Sequence, residues 1–247
     1  MASYHGGKTR IGENIADIIY KTSIEISDKE NFRIEGYTEP FCGMLGVYRH
    51  IPELFKYHEN KLKYKAGDIN KSVIMMWKEA QKEWNPKINI NEKKYYDLKF
   101  DKDSALKGFI GHQCSFGGVF FASFRHERCN KQTLEKVIDK INDIGEELKD
   151  VSFSNGPYTK FSNLKNHIIY CDPPYQQFNR YYDGDYNRIS FDHKEFYDWC
   201  RKMSENNIVF VSEFKAPKDF KLISKNKINV NHNNTNKKNI DNLYIVY

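Results

Sequence analysis

The sequence predicts an α/β protein, a mostly parallel sheet with helices on both faces and an antiparallel strand at the C-terminal end. Three observations predict it. Short apolar runs alternate with helical stretches four or five times along the chain. Several of those runs end on a glycine turn or an acid, and in open α/β sheets the carboxyl ends of strands are where ligands bind. The last two runs, "FKLISKNKINV" and "NLYIVY", are separated by the polar loop "NHNNTNKKN" and form a closing strand pair. At 247 residues the chain suffices for one large domain, or for a core domain carrying an insertion.

Taken in order, "YHGGK" precedes Ile11, Ile15, Ile18 and Ile19 at helical spacing, with Thr9 as the expected cap. "GYTEPFCGMLGVYRHI" reads as a short strand to about Pro40, a glycine turn, and a helix from about Gly46 towards Phe55. "KLKYKAGDIN" is a strand ending on Asp68, and Val73, Met76, Trp77 and Ala80 give a helix face that fades before Pro86. Between 85 and 130 the periodicity is lost, and "GHQCSFGGVFFASFRHER" mixes glycines with aromatics as neither a clean helix nor a clean strand does. Residues 85–130 therefore read as an insertion into a core made by 1–84 and 131–247. Leu134, Val137, Ile138, Ile141, Ile144 and Leu148 restore a helix face, followed by a short strand around "VSFSN". Ile168, Ile169 and Tyr170 form a buried strand that must stop at about Asp172, because the two prolines that follow donate no ladder hydrogen bonds. "FDHKEFYDWCRKMSENN" is a helix capped by Asp192, and "NIVFVSEF" is a buried strand.

Composition narrows the class. Hydrophobic content of 39% with 15% aromatics is globular, and a mean hydropathy of −0.77 reflects abundant surface Lys and Asn. There is no apolar run of transmembrane length and no hydrophobic signal region at the N-terminus, so the expectation is an intracellular protein without a membrane partner. Cys42, Cys114, Cys129, Cys171 and Cys200 are odd in number and never in CxxC spacing, which argues against a disulfide framework and a zinc site. They read as reduced, mostly packing thiols, and no metal is expected. A net charge of +6 permits a polyanionic partner without requiring one.

Four short motifs stand at strand ends or glycine turns: "YHGGK" (Tyr4 to Lys8), "EPFCGMLG" (Glu39 to Gly46), "GDIN" (Gly67 to Asn70) and "DPPY" (Asp172 to Tyr175). Each alone has a plain reading, as a turn before a helix, a solvated lysine or a proline-stiffened strand end. Gly43 after a strand also lets a ligand approach the backbone, and Asp68 at the next strand end sits where doubly wound folds place an acid on ribose hydroxyls. Lys8 lacks the following Ser or Thr of a phosphate loop.

In their order, and together with "CSFGG" at Cys114 to Gly118, "IIYCDPPY", "FDHKEFYDWC" and "VSEFKAP", these motifs resemble the Dam-like DNA adenine methyltransferases, the phage-borne branch above all. The resemblance implies a Rossmann-like methyltransferase fold with an inserted DNA-recognition region, S-adenosyl-L-methionine as cofactor, and double-stranded DNA as partner. It carries cofactor contacts onto Tyr4, Lys8, Glu39, Phe41, Gly43, Asp68 and Asp172. It carries the catalytic loop onto Asp172, Pro173, Pro174 and Tyr175, with Tyr175 stacking on the extruded base. One departure stands out: the family's FxGxG is "FCGMLG" here, which puts Gly46 in doubt and leaves Gly43 in place.

The residue types suit that chemistry. The exocyclic amino group of adenine is a poor nucleophile because its lone pair is delocalised into the ring, and Asp172 with the Pro173 carbonyl would localise that pair in line with a methyl donor. A base inside a duplex must first be extruded, and an aromatic face offsets part of the unstacking cost of about a few kcal/mol. Asp at position 172 favours adenine by family pattern only. Phe191 reads as a core aromatic or a second base contact. Arg125, His126, Arg128 and Lys131 form a basic cluster suited to phosphates, or a solvated loop. The competing readings are a cytosine-N4 or RNA amino-methyltransferase, and a catalytically silent DNA-binding relative.

Overall fold

Strand β1 (Gly36–Glu39) lies inside the sheet, and everything at the site follows from what pairs with it on either side. The computed structural model describes residues 4, 6–176, 181–182, 188–189, 191–229 and 238–246. On one flank β1 pairs in parallel with β2 (Lys63–Asp68), which pairs in parallel with β3 (Ser152–Asn155). On the other it pairs in parallel with β4 (His167–Cys171). A two-residue ladder, β5 (Tyr181–Tyr182) with β6 (Arg188–Ile189), stands apart. Next to β4 runs β7 (Ile208–Glu213), also parallel; β9 (Lys238–Val246) is antiparallel to both β7 and β8 (Lys221–Asn229). The order β3-β2-β1-β4-β7-β9-β8, with β9 alone reversed, is the Rossmann-like methyltransferase arrangement expected from the sequence. Successive strands leave β1 in opposite directions, so a crevice opens at the carboxyl ends of β1 and β4.

The helices fall largely where periodicity puts them. These are α1 (Gly12–Glu30), α2 (Ile51–Leu54) entered through a 3₁₀ turn at Tyr48–His50, α3 (Lys71–Ala80), α6 (Lys131–Glu147) and α7 (His193–Ser204). Asn70, Asn130 and Asp192 cap α3, α6 and α7 by accepting from Val73, Thr133 and Glu195 N–H groups. The expected cap at Thr9 is displaced: the residue flanking α1 is Ile11, with no side-chain cap bond. Part of the polar loop before β9, residues 231–237, lies outside the described residues.

The segment 85–130 is more regular than its sequence suggests. It contains α4 (Glu92–Phe100) and α5 (Ala105–Gln113), and Tyr95, Phe109, Ile110, Phe120 and Phe121 belong to the same hydrophobic core as β1, α1 and α3. Helix α5 meets α3 through Gly108, where a Cβ would stand 2.2 Å from the Ser72 carbonyl oxygen, so only glycine permits the approach. The expectation of reduced thiols is corrected at one place. An isolated bridge between Ser115 and Phe124, and the Arg125 N–H donating to the Cys114 carbonyl at 2.9 Å, fold the segment back so that Cys114 and Cys129 form a disulfide, Cα atoms 5.5 Å apart. Cys42, Cys171 and Cys200 are free and buried.

Candidate active site

The β4 strand is buried along its whole length, and its end delivers Asp172 into the crevice. The loop that follows is pinned from several sides. Pro173 is buried. His193 Nε2, in the first turn of α7, donates to the Pro174 carbonyl at 2.8 Å. The Tyr175 hydroxyl donates to Asp241 Oδ1 at 2.8 Å, and its ring meets Phe214 edge-on, centroids 4.7 Å apart. The Gln176 N–H donates to Glu213 Oε2 at 3.2 Å.

Lys8 crosses this loop from the N-terminal segment. Its ammonium lies 2.6 and 2.8 Å from the two oxygens of Asp172, 3.4 Å from Asp241 Oδ2, and 4.8 Å from the centre of the Tyr175 ring. Burial pulls the Lys8 pKa down, but Asp172 and then Asp241 outweigh it and the net shift is upward. Burial raises Asp172 to about 6, Asp241 adding to the rise and Lys8 opposing it. Glu213 is raised to about 7 by burial against the backbone N–H groups of Phe214 and Gln176. Glu39, at the end of β1, accepts from the Tyr37 hydroxyl at 2.7 Å and is pushed well above the usual carboxylate range by burial.

A second cluster surrounds Gly43. Its N–H donates to Asp68 Oδ2 at 3.0 Å and its carbonyl accepts from Trp77 Nε1 at 2.9 Å. Its φ of +44° suits glycine, and a Cβ there would stand 2.9 Å from the Tyr4 ring. Asp68 also accepts from the Asn70 N–H at 2.8 Å, and burial raises it to about 6. Tyr4 is backed by "CSFGG": Gly118 (φ +70°) lies so close that a Cβ would come 2.7 Å from the Tyr4 nitrogen, and the Tyr4 ring packs on His112 at 4.5 Å. Within "FCGMLG" the left-handed backbone falls on fully buried Leu45, φ +56°, where FxGxG has its second glycine. Gly46 does not take that conformation.

Phe41 and the basic residues make contacts of their own. Phe41 packs with Tyr158, Phe191 and Phe196 beneath α7, centroids 5.7, 5.9 and 5.7 Å away. Arg125, His126 and Arg128 occupy a 3₁₀ turn leading to Lys131 at the start of α6, and Glu127, Glu92 and Glu135 face Arg125, His126 and Lys131 at 3.4, 3.5 and 3.6 Å. Such exposed pairs are weak, worth about 0–1 kcal/mol, so Arg125 and Lys131 can exchange their partners for a stronger anion. Phe116 stands exposed. Asp241, Glu213 and His193 were not anticipated; the acid closing "VFVSE", in a run otherwise fit to be buried, was the available signal. Two cavities of about 580 and 300 Å³ lie elsewhere, the first between Arg49 and Glu147, the second along Lys65 and Lys160. Among the described residues no group of three or more His, Cys, Asp or Glu is arranged to hold a metal ion, and no helix is long and apolar enough to cross a membrane.

An acid-Pro-Pro-Tyr loop, a glycine turn and a buried acid thus stand at the carboxyl ends of a Rossmann-like sheet, the end at which open α/β folds bind ligands. The model of the D12 class N6 adenine-specific DNA methyltransferases matches residues 114–244, and the chain belongs to that family. No curated protein sequence matches it significantly. Among solved structures it is similar to two of the rRNA methyltransferase aviRa from Streptomyces viridochromogenes. One is 12% identical, with 92% of this chain and 84% of that chain covered and a TM-score of 0.34. The other is 11% identical, with 100% and 96% covered and a TM-score of 0.36. At such values the likeness assigns nothing to this chain.

Proposed function

We propose that this chain transfers a methyl group from S-adenosyl-L-methionine to the N6 amino group of an adenine extruded from double-stranded DNA. The observation that carries it is Asp172 at the end of β4, held beside the Gly43–Asp68 cluster at the end of β1 and β2. The donor set fits the cofactor. Gly43 leaves its strand end open where a Cβ would meet Tyr4, and each Asp68 oxygen accepts one backbone N–H, leaving lone pairs for ribose hydroxyls. Asp68 and Gly43 would hold the nucleoside part, with Tyr4, Phe41, Glu39, Lys8 and Asp172 lining the rest. When bound, the cofactor supplies an electrophilic methyl group on a sulfonium.

Asp172 accepts a hydrogen bond from the amino group and the Pro173 carbonyl accepts the second, so the nitrogen lone pair is directed at the methyl carbon. His193 occupies the Pro174 carbonyl and fixes the loop's pitch. Tyr175, oriented by Asp241, offers a ring on which the extruded base stacks, an interaction worth about 1–3 kcal/mol. Residues 85–130 serve as the target-recognition region, with Arg125, His126, Arg128 and Lys131 on phosphates. Calorimetry with S-adenosyl-L-methionine, followed by labelled-methyl transfer to duplex DNA and to RNA, tests the reading. Cofactor binding with DNA-only labelling supports it; transfer to RNA, or no binding, refutes it.

A further inference from the structure

Lys8 occupies both positions that an adenine needs. Its ammonium contacts both oxygens of Asp172 and lies over the Tyr175 ring. A base whose amino group reaches Asp172 while its ring lies on Tyr175 therefore displaces it. The cation must then find another carboxylate, because an unpaired buried ammonium is strongly disfavoured. Three acids besides Asp172 border the site. Glu39 uses Oε1 for the Tyr37 hydroxyl and makes no ion pair with Lys8, whereas Asp241 does. Glu213 accepts the N–H groups of Gln176 and Phe214. Asp241, fully buried on β9, uses Oδ1 for the Tyr175 hydroxyl, while Oδ2 has no hydrogen-bond partner among the described residues and stands 3.4 Å from Lys8 Nζ.

Resting on the function proposed above, we infer that Asp241 is a positioning residue that receives the Lys8 ammonium from Asp172 when the target amino group arrives. The hand-over closes the 3.4 Å separation from Asp241 Oδ2 to a charge-assisted hydrogen bond of about 2.8 Å, with no covalent change. It frees both Asp172 oxygens, keeps Lys8 paired, and leaves Tyr175 held by the other oxygen of the same carboxylate. Among the described residues Asp241 contacts both Lys8 and Tyr175 and keeps Oδ2 without a hydrogen bond.

Asp241→Asn isolates the charge, since the amide oxygen still accepts from Tyr175. In the full chain it should lower kcat on duplex DNA at least tenfold while S-adenosyl-L-methionine affinity stays within threefold. In the cofactor-free protein, the ¹³C-carboxyl titration of Asp172, assigned by its loss in Asp172→Asn, should move to lower pH, because Lys8 stays on Asp172 and the neighbouring charge is gone. A purely structural Asp241 would still lower the Asp172 midpoint through its lost charge but would leave kcat within threefold wherever the fold is intact, so turnover is the deciding readout. Turnover within threefold of wild type, or an unmoved Asp172 midpoint, overturns the inference. If Asp241→Asn fails a melting check, Asp241→Ser is used with the same readouts. Should the wild type methylate no adenine, the functional reading fails, and an Asp172 midpoint unmoved by Asp241→Asn separately overturns the coupling of the two acids.

Discussion

The Lys8 ammonium sits 2.6 and 2.8 Å from the carboxylate oxygens of Asp172, joining the N-terminal segment to the end of the central strand β4 across 164 positions of sequence. Asp172 lies within the stretch that matches the family, and the Lys8 charge opposes the rise that burial imposes on the acid proposed to meet the substrate.

Asp172→Ala should abolish turnover, leaving less than about a tenth of wild-type kcat, with fold and much of the cofactor affinity intact. Retained activity above that level removes Asp172 from the reacting amine. Because burial raises Asp172 to about 6, its ionised, accepting form is lost as pH falls through that value. The kcat/KM profile, which reports the free enzyme, should therefore rise through about pH 6 to a plateau. An acid limb near pH 4, measured where the protein stays folded, would contradict this.

Two adjacent glycines separate backbone strain from contact. At Gly117 (φ +63°) a Cβ would meet nothing within 4 Å, whereas at Gly118 (φ +70°) a Cβ would press on the Tyr4 backbone. Gly117→Ala should cost about 1 kcal/mol of stability and leave cofactor affinity alone. Gly118→Ala should weaken S-adenosyl-L-methionine binding at least tenfold by displacing Tyr4. Equal affinities by calorimetry would show that Tyr4 does not line the cofactor site.

Leu45 sets two effects against each other. Its left-handed backbone costs about 1–2 kcal/mol that glycine would relieve. Its side chain is fully buried in the core, and removing such a side chain costs about 2–5 kcal/mol. The cavity wins, so Leu45→Gly should lower stability by about 1–3 kcal/mol in denaturant titration. A stabilised variant would mean that the loop is strained more than it is packed.

Much of this was legible in the chain because each element is locally consistent. The β2 strand ends on Asp68 as its apolar pattern stops, Asp192 announces α7, and the two prolines close β4. Helix α5 was hidden. Ala105, Lys107, Gly108, Phe109, Ile110, Gly111, His112 and Gln113 are all buried, so no apolar stripe exists to be counted. Its glycines read as breakers when they are contact points: a Cβ at Gly111 would stand 2.4 Å from Phe120. Asp241 was hidden for a different reason: a buried acid inside "NIDNLYIVY" is indistinguishable by sequence from the polar side of an alternating strand. Only the register that sets β9 against β7, and β7 against β4, brings it to Tyr175.

Arg125→Ala should weaken duplex binding and make its dependence on salt concentration shallower, as the loss of one phosphate contact does. The present partner of Arg125 is Glu127 at 3.4 Å, an exposed pair easily exchanged. An unchanged slope in salt titrations would take Arg125 out of the interface.

The most direct test of the central claim is the identity of the methylated nucleoside. Purified protein is incubated with S-adenosyl-L-methionine and duplex DNA of mixed sequence, and the DNA is digested to nucleosides and analysed by mass spectrometry. The account predicts N6-methyladenine as the methylated product, absent with Asp172→Ala. Methylated cytosine in place of methylated adenine, or the same yield from Asp172→Ala, would contradict it.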